Sequence, residues 1–599
     1  MTSKLQAENN HNANLDRLRS HLSTIGVDLW LQPVADEFQG EYPADYAKRL
    51  TYVCGFTGSA GMGAFWATPS RRDALFVDGR YTIQAAQEVD VKQIDPLLTP
   101  PASLPVWLGA QAGTLTIGFD AWLHSAAQVR RWQAETQHLS VGWLACGNAV
   151  DAIWLHQPSV PAEPIVCHSD ALAGRTAQEK LTALIDTIAS KGAASTLLTL
   201  PDSVCWLLNL RGSDIAYNPL VLGYLQVNAT GAHCWFIHSR TLSDEVQRHL
   251  AALNIEVMDL LTFWQAPERF LQDGALLLSP EHAPHALWLA AEKAGCRVVE
   301  TTDPTLLPKA CKTPQEIAGI RDAHVRDGAA LSTCLMRIQQ AQTIDELGIM
   351  QAVEDARRAH NDYRGASFAT IAGSGAHGAI VHYHASPASN RTWQEGELLL
   401  LDSGGQYLGG TTDVTRVLVK GTPSAEMKDR YTRVLKGHIA LATAQFPKGT
   451  TGAHLDILAR QFLWEVGCDY DHGTGHGIGA YLCVHEGPQS ISKRGMGTAL
   501  EAGMILSNEP GYYKTDEYGI RIESVVCVVA RGTSDDGREM LGFETLTRVP
   551  IETALIDASL LTETERAWLN DYHRAVLRDV EPIIADEAKG WLSEACAAI

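Results

Sequence analysis

The spacing of apolar positions predicts alternating helices and strands along most of the chain. Apolar residues recur at helical spacing from Leu15 to Leu22 and lead into a short apolar run, VDLWLQP, at 27–33. After YVCGFTGSAG come two further strand-like runs, around GAFWA and at ALFV (74–77), and a helix is expected after Asp78-Gly79-Arg80-Tyr81. Pro and Gly clusters near 99–105 and 157–164 punctuate this first segment. The next segment repeats the plan. A helical pattern from Thr176 to Ser190 precedes STLLTL (195–200), WLLNLRGS (206–213) echoes YVCGFTGS (52–59), and CWFIHSR (234–240) echoes ALFVDGR (74–80). A helix is expected after Arg80 and after Arg240. The echoes indicate a weak internal duplication of one α/β unit.

A third region opens near Pro308. Residues 312–341 carry Ile317, Ile320, Ala323, Ala330, Leu331 and Leu335 at helical spacing. Thr313-Pro314 followed by Glu316 marks the helix start, because the hydroxyl, the proline and the acid each suit the unpaired N–H groups there. From about 366 onward, β-branched runs alternate with Gly-rich turns. Helices are expected near 424–446, 452–466 and 562–577. The domain expectation is therefore 1–160 and 161–305 as two similar α/β units, followed by a larger α/β domain at 306–599.

Composition narrows the classes. Apolar residues make up 45% and charged residues 20% of the 599, enough for packed cores throughout. The net charge of −21 repels phosphate backbones and argues against nucleic acid as a partner. No apolar run reaches membrane-spanning length. The polar start MTSKLQAENNHNANLDRL lacks a signal-peptide core, and the twelve scattered cysteines read as free thiols; together they imply a cytoplasmic protein. The terminal Cys596-Ala-Ala-Ile599 matches a prenylation pattern but follows no basic run, so it reads as incidental.

The candidate chemistry lies in two hairpins and the loop between them. GELLLLDSGGQYLGGTTDVTRVLVK (396–420) has a strand ending at Asp402 and a return strand starting at Asp413. Opposed side chains on antiparallel strands lie about 5 Å apart, so two carboxylates would meet on one face and repel unless a cation joined them. GMILSNEPGYYKTDEYGIRIESVVCVV (503–529) repeats the logic with Glu509 and Glu523, the latter interrupting an apolar strand where a lone charge is costly. A salt bridge to Arg521 is the alternative for Glu523. DYDHGTGHGIGAYLCVHEGP (469–488) lies between the hairpins and holds His472, His476 and His485 among close-packing glycines. Its glycines do not follow GxGxxG, and the chain has no HExxH and no GxSxG. Asp402, Asp413, His476, Glu509 and Glu523 form an oxygen-rich set suited to two divalent ions that activate water, rather than to structural zinc.

The order Asp-x10-Asp, HGTGHGIG, NEPGYY and GIRIES resembles the metallopeptidases of the pita-bread fold, which include methionine aminopeptidases, prolidases and aminopeptidase P. DGRYTIQAAQEVD (78–90), WLLNLRGSDIAYNP (206–219), HYHASPASNR (382–391), FETLTRVPIETALID (543–557) and ERAWLNDYHRAV (565–576) are similar to the three-domain cytosolic type of aminopeptidase P. The resemblance covers nearly the full chain; Gly409, where related sequences often carry Asp, is a departure in a turn.

The resemblance implies two creatinase-like N-terminal domains before a pita-bread domain. It also implies a homodimer and two metal ions, usually Mn²⁺. The reaction it implies is hydrolysis of the first peptide bond, by hydroxide activated between the metals, in short peptides with proline at position 2. That bond is a tertiary amide without an N–H, so a dedicated pocket is expected. In the site that it implies, Asp413 and Glu523 bridge the ions, Asp402 serves one ion, and His476 and Glu509 the other. Glu509 carries the proton. His382 and His485 contact substrate and steady the tetrahedral intermediate, and His472 and Tyr513 line the site. Arg521 is expected to orient Glu509 or Glu523, or to lie on the surface. Alternatives are a prolidase restricted to dipeptides, a metal-free creatinase-like enzyme, which should lack the carboxylate set, and an inactive pita-bread interaction protein, which should have degraded ligand positions.

Overall fold

The computed structural model of the chain describes residues 10–271, 274–493 and 497–599. The polar N-terminal stretch read above lies, over residues 1–9, outside the described residues. The described chain forms two compact units, one built from residues up to 168 and from 176 to 305, the other from 169–175 and 306–599.

The first unit holds two six-stranded sheets of identical plan. One runs Ile94–Leu98, Asp73–Val77, Met62–Trp66, Leu29–Pro33, Leu115–Phe119, Val141–Ala145; the other runs Ile255–Asp259, His233–Ile237, Gly223–Asn228, Ser195–Leu198, Ala275–Leu278, Arg297–Glu300. The senses match as well: counted in chain order, the first strand of each pairs antiparallel with the second and parallel with the fifth. The echoed motifs occupy equivalent places. ALFV and CWFI are third strands, and the two Gly-Ser echoes end the helices Arg49–Cys54 and Pro201–Leu208, each closed by a left-handed residue, Gly55 and Asn209. The edge strands Ile94–Leu98 and Val141–Ala145 escaped the apolar pattern because much of their length is partly exposed.

The second unit contains the helix Pro314–Gln340, started by the reciprocal Thr313/Glu316 capping box that its sequence predicts. Ile320, Ala323, Ala330, Leu331 and Leu335 are on its buried side. Two sheets then carry the candidate residues. A three-stranded sheet has Leu398–Ser403 at its centre, between Ile371–Ser374 and Val414–Val419. A six-stranded sheet places Ile505–Asn508 between Ser524–Thr533 and Gly475–Gly477. The helices Ala425–Ala442, Gly452–Trp464 and Glu563–Val580 complete the unit, the last with a Thr562/Glu565 capping box. Cys596 is buried in the same core as Leu569, Val576 and Leu592, so its thiol is not displayed. Among the described residues no helix is long and apolar enough to cross a membrane, and no cysteine forms a disulfide.

Candidate metal centre

Both hairpins differ from the simple form expected. Asp402 pairs in register with Thr415, not with Asp413, so the two aspartates are diagonal neighbours on one face. The chain between them folds into its own small pairing, Gly405–Tyr407 with Gly410–Thr411. In the second hairpin Asn508 pairs with Ser524, which brings Glu509 and Glu523 opposite each other one step beyond the ladder. The turn between them is a separate two-stranded hairpin, Gly511–Lys514 with Tyr518–Arg521. Glu509 and Glu523 thus sit at breaks between strands. Their N–H groups are satisfied elsewhere, Glu509 N by Thr474 O at 2.8 Å and Glu523 N by Thr415 O at 3.2 Å. The second bond ties one sheet to the other and brings all four carboxylates to one place.

His476 joins them from the Gly475–Gly477 strand. Its Nδ1–H donates to Gly477 O at 2.9 Å, which leaves the Nε2 lone pair facing Asp413 Oδ2 at 3.4 Å and Glu509 Oε1 at 3.5 Å. One ligand atom each from Asp413, His476 and Glu523 falls within 4.8 Å of the others. The His485 ring stands edge-on to His476, with centroids 4.3 Å apart.

Arg521 is bound to Asp402, which corrects the expected partner. Its Nε donates to Asp402 Oδ2 at 3.1 Å and its Nη2 donates to the same oxygen. It is buried, not a surface residue. The reason is the strand break at Ile522. Arg521 still belongs to the Tyr518–Arg521 hairpin, whereas the Glu523 backbone has crossed to the other sheet. The guanidinium also reaches Tyr513 Oη at 2.6 Å, and that hydroxyl donates to His472 Nε2 at 2.8 Å. Tyr513 and His472 therefore form a hydrogen-bonded wall behind Asp402. His382 is half-buried on the loop after the Gly375–Ala379 turn, next to Tyr383, whose hydroxyl is anchored on the buried Glu346 at 2.9 Å.

Two residues without a predicted role complete the site. Thr415 Oγ1 donates to Glu523 Oε2 at 2.8 Å, and Ser507 Oγ donates to Glu509 Oε1 at 3.1 Å while accepting from His476 N. Both lie two residues from a ligand on the same strand face, so a period of two from Asp413 and Glu509 could have found them.

The electrostatics fit divalent cations. Burial raises Glu523 well above the usual carboxylate range, and Asp413, Asp402 and Glu509 push the same way. Burial also raises Glu509, opposed by His476 and Arg521, and lifts Asp402 to about 6 against the pull of Arg521. Burial disfavours the His476 imidazolium, but Asp413 and Glu509 outweigh it and raise the ring to about 9. The site thus holds protons where it is built to hold positive charge. Asp402 Oδ1 is buried without a hydrogen-bond partner, an oxygen that a cation would satisfy. The donor set of four carboxylates and one imidazole suits two hard or borderline divalent ions.

The model of metallopeptidase family M24 matches residues 318–530, and the C-terminal region of that peptidase matches 539–599. Two creatinase/prolidase N-terminal domain models match 15–151 and 156–316. A probable Xaa-Pro aminopeptidase P of Coprinopsis cinerea is 36% identical, over 98% of this chain and 99% of its own. Aminopeptidase P2 of Arabidopsis thaliana is 36% identical over 95% and 85%. Among solved structures, an X-prolyl aminopeptidase of Caenorhabditis elegans, described as a cytosolic enzyme with a di-nuclear active site, superposes with a TM-score of 0.93 at 33% identity, covering 98% of this chain and all of its own. A Xaa-Pro dipeptidase of Bacillus anthracis covers 63% of this chain, at 26% identity and a TM-score of 0.50.

Proposed function

The chain belongs to the Xaa-Pro aminopeptidase P proteins of metallopeptidase family M24, and from that membership we infer how its own residues act. It is a metallopeptidase that removes the N-terminal residue from peptides with proline second. Asp402, Asp413, His476, Glu509 and Glu523 are the residues we assign to two metal ions, with Asp413 and Glu523 shared. The observation that carries the assignment is that ligand atoms of Asp413, His476 and Glu523 lie within 4.8 Å of one another, with buried Asp402 and half-buried Glu509 beside them. The oxygen-rich set favours Mn²⁺. Bound there, the ions would polarise the scissile carbonyl and acidify a water molecule.

The protein's part is to place and exchange the proton. Ser507 occupies Glu509 Oε1, so Oε2 is the atom we assign to take the proton of the attacking water and return it to the leaving proline nitrogen. Arg521 keeps Asp402 ionised and fixed in direction. His485, edge-on to His476, and His382 are assigned to the substrate carbonyl, where hydrogen bonds strengthen as charge develops. His472 and Tyr513 shape the wall of the site. A homodimer and a cytosolic location are proposed from the likeness to the three-domain type.

Glu509→Gln tests the proton assignment, since it preserves shape and one ligand oxygen. Assayed on Xaa-Pro-Xaa tripeptides after chelation and Mn²⁺ add-back, it should bind metal but lose turnover by 10²–10⁴-fold, the usual span for a general base; full activity would reject the role. Turnover of Gly-Pro with none of the tripeptides would instead favour the dipeptidase reading.

A further inference from the structure

Glu509 and Glu523 lie at strand breaks, so neither is held by a regular ladder. Their backbones are held from behind. The Glu523 carbonyl accepts from Arg416 Nη1, on the strand that leaves Asp413. Arg416 is fully buried, and its donors end on neutral oxygens: Nε on Pro550 O at 3.0 Å, Nη1 also on Thr415 O at 2.8 Å, and Nη2 on Val549 O and Tyr572 Oη, each at 2.8 Å. Tyr572 Oη in turn donates to Val549 O at 2.7 Å. Carbonyls aimed at a planar fork fix its direction without neutralising it, so this guanidinium serves position.

A parallel arrangement lies behind Glu509. Its predecessor Asn508 exchanges two bonds with the buried His438: the ring Nδ1–H donates to Asn508 O at 3.1 Å, and Asn508 Nδ2 donates to His438 O at 2.9 Å. The two arrangements meet on one helix. On Glu563–Val580, Trp568 stands edge-on to His438, with centroids 6.0 Å apart, and stacks flat on Tyr572 at 5.5 Å and 4°. Positions 568 and 572 are one turn apart on the same face. The helix lies in the C-terminal region, which the family models match separately from the catalytic region.

We propose that the Glu563–Val580 helix is a positioning element of the metal centre: Tyr572, through Arg416, fixes the backbone of Glu523, and Trp568, through His438 and Asn508, fixes that of Glu509. The inference rests on the reading of Glu509 and Glu523 as metal ligands. Residues that orient ligands without touching the metal typically change its affinity by roughly 10–100-fold when lost. Tyr572→Phe removes the hydroxyl and keeps the ring. Mn²⁺ binding to the chelated full-length protein is measured by calorimetry, with thermal melting of the metal-free protein and kcat and KM alongside.

The expected result is Mn²⁺ affinity weakened roughly 10-fold or more, a lower kcat, and KM for the tripeptide little changed. Val576→Ala, one turn further along the same buried face, should lower the melting temperature and leave Mn²⁺ affinity unaltered. Wild-type affinity in Tyr572→Phe, or an equal loss in Val576→Ala, overturns the proposal. Glu523→Gln separates the two levels: undiminished metal binding there would reject the ligand reading, whereas metal loss in Glu523→Gln with none in Tyr572→Phe rejects only the bracing. If Tyr572→Phe does not fold, Trp568→Phe reads the Glu509 side by the same binding measurement, and wild-type affinity there overturns the proposal.

Discussion

Acidification should destabilise the catalytic unit through His573, and the size of the effect follows from its burial. The ring is fully buried and its Nε2 accepts the Ile551 N–H at 3.2 Å, which places the proton on Nδ1, an atom with no hydrogen-bond partner. Burial, with the nearby Arg416 charge adding to it, lowers the group from 6.5 to about 4. The folded state therefore binds fewer protons than the unfolded state between those values. The contribution is fully present above 6.5 and is lost as pH falls toward 4. At pH 5 the loss amounts to about 2 kcal/mol. For a unit of this size that corresponds to roughly 4–8 °C in melting temperature.

The variant His573→Gln keeps an acceptor for Ile551 N but does not titrate. Metal-free wild type and variant would be melted at pH 7 and pH 5 by differential scanning calorimetry. The clustered carboxylates and His438, which burial lowers to about 3, titrate in both proteins and cancel in the comparison. The melting temperature of the variant should fall by roughly 4–8 °C less than that of wild type. Equal falls would show that His573 does not resist protonation in the fold and would refute the reasoning.

Gly519→Ala should cost about 1–3 kcal/mol, because its Cβ would overlap Gly378 O and part the Tyr518–Arg521 strand from the Gly375–Ala379 turn; thermal melting and kcat/KM measure both consequences. Arg357→Met should cost about 3–5 kcal/mol by urea denaturation, since it leaves Asp327 buried without the guanidinium that meets both its oxygens, at 2.7 and 3.2 Å. Arg521→Lys should lower kcat/KM by at least about tenfold, because one ammonium cannot span Asp402, Thr415 and Tyr513; unchanged kinetics would remove Arg521 from the site's support.

The helices of the catalytic unit were legible because periodicity and caps are local. Thr313, Pro314 and Glu316 announce a 27-residue helix from three positions. The repeated α/β plan could be seen in two short echoes, each marking an equivalent strand or helix end. The half-exposed edge strands of the first sheet carried too little alternation to be seen. Within the site, five ligand candidates stood out as charges in apolar runs. Thr415 and Ser507 did not, because a hydroxyl in a strand is unremarkable until its neighbour across the sheet is known.

The chain by itself determined which groups could do the chemistry: four carboxylates and an imidazole, each placed where an unpaired charge could not be buried. It also set their pairing within hairpins, since strand polarity and period follow from nearby residues. Tertiary structure decided what each group touches. Asp402 and Asp413 became diagonal neighbours because the register pairs Asp402 with Thr415. Arg521 turned to Asp402 because the strand breaks at Ile522 and Glu523 binds the other sheet. Arg416, His438 and Tyr572 entered only through contacts more than 60 residues apart in the chain. Local sequence sets dihedral preference and face, but hydrogen-bond partners across sheets are chosen by register and packing, which no local window contains.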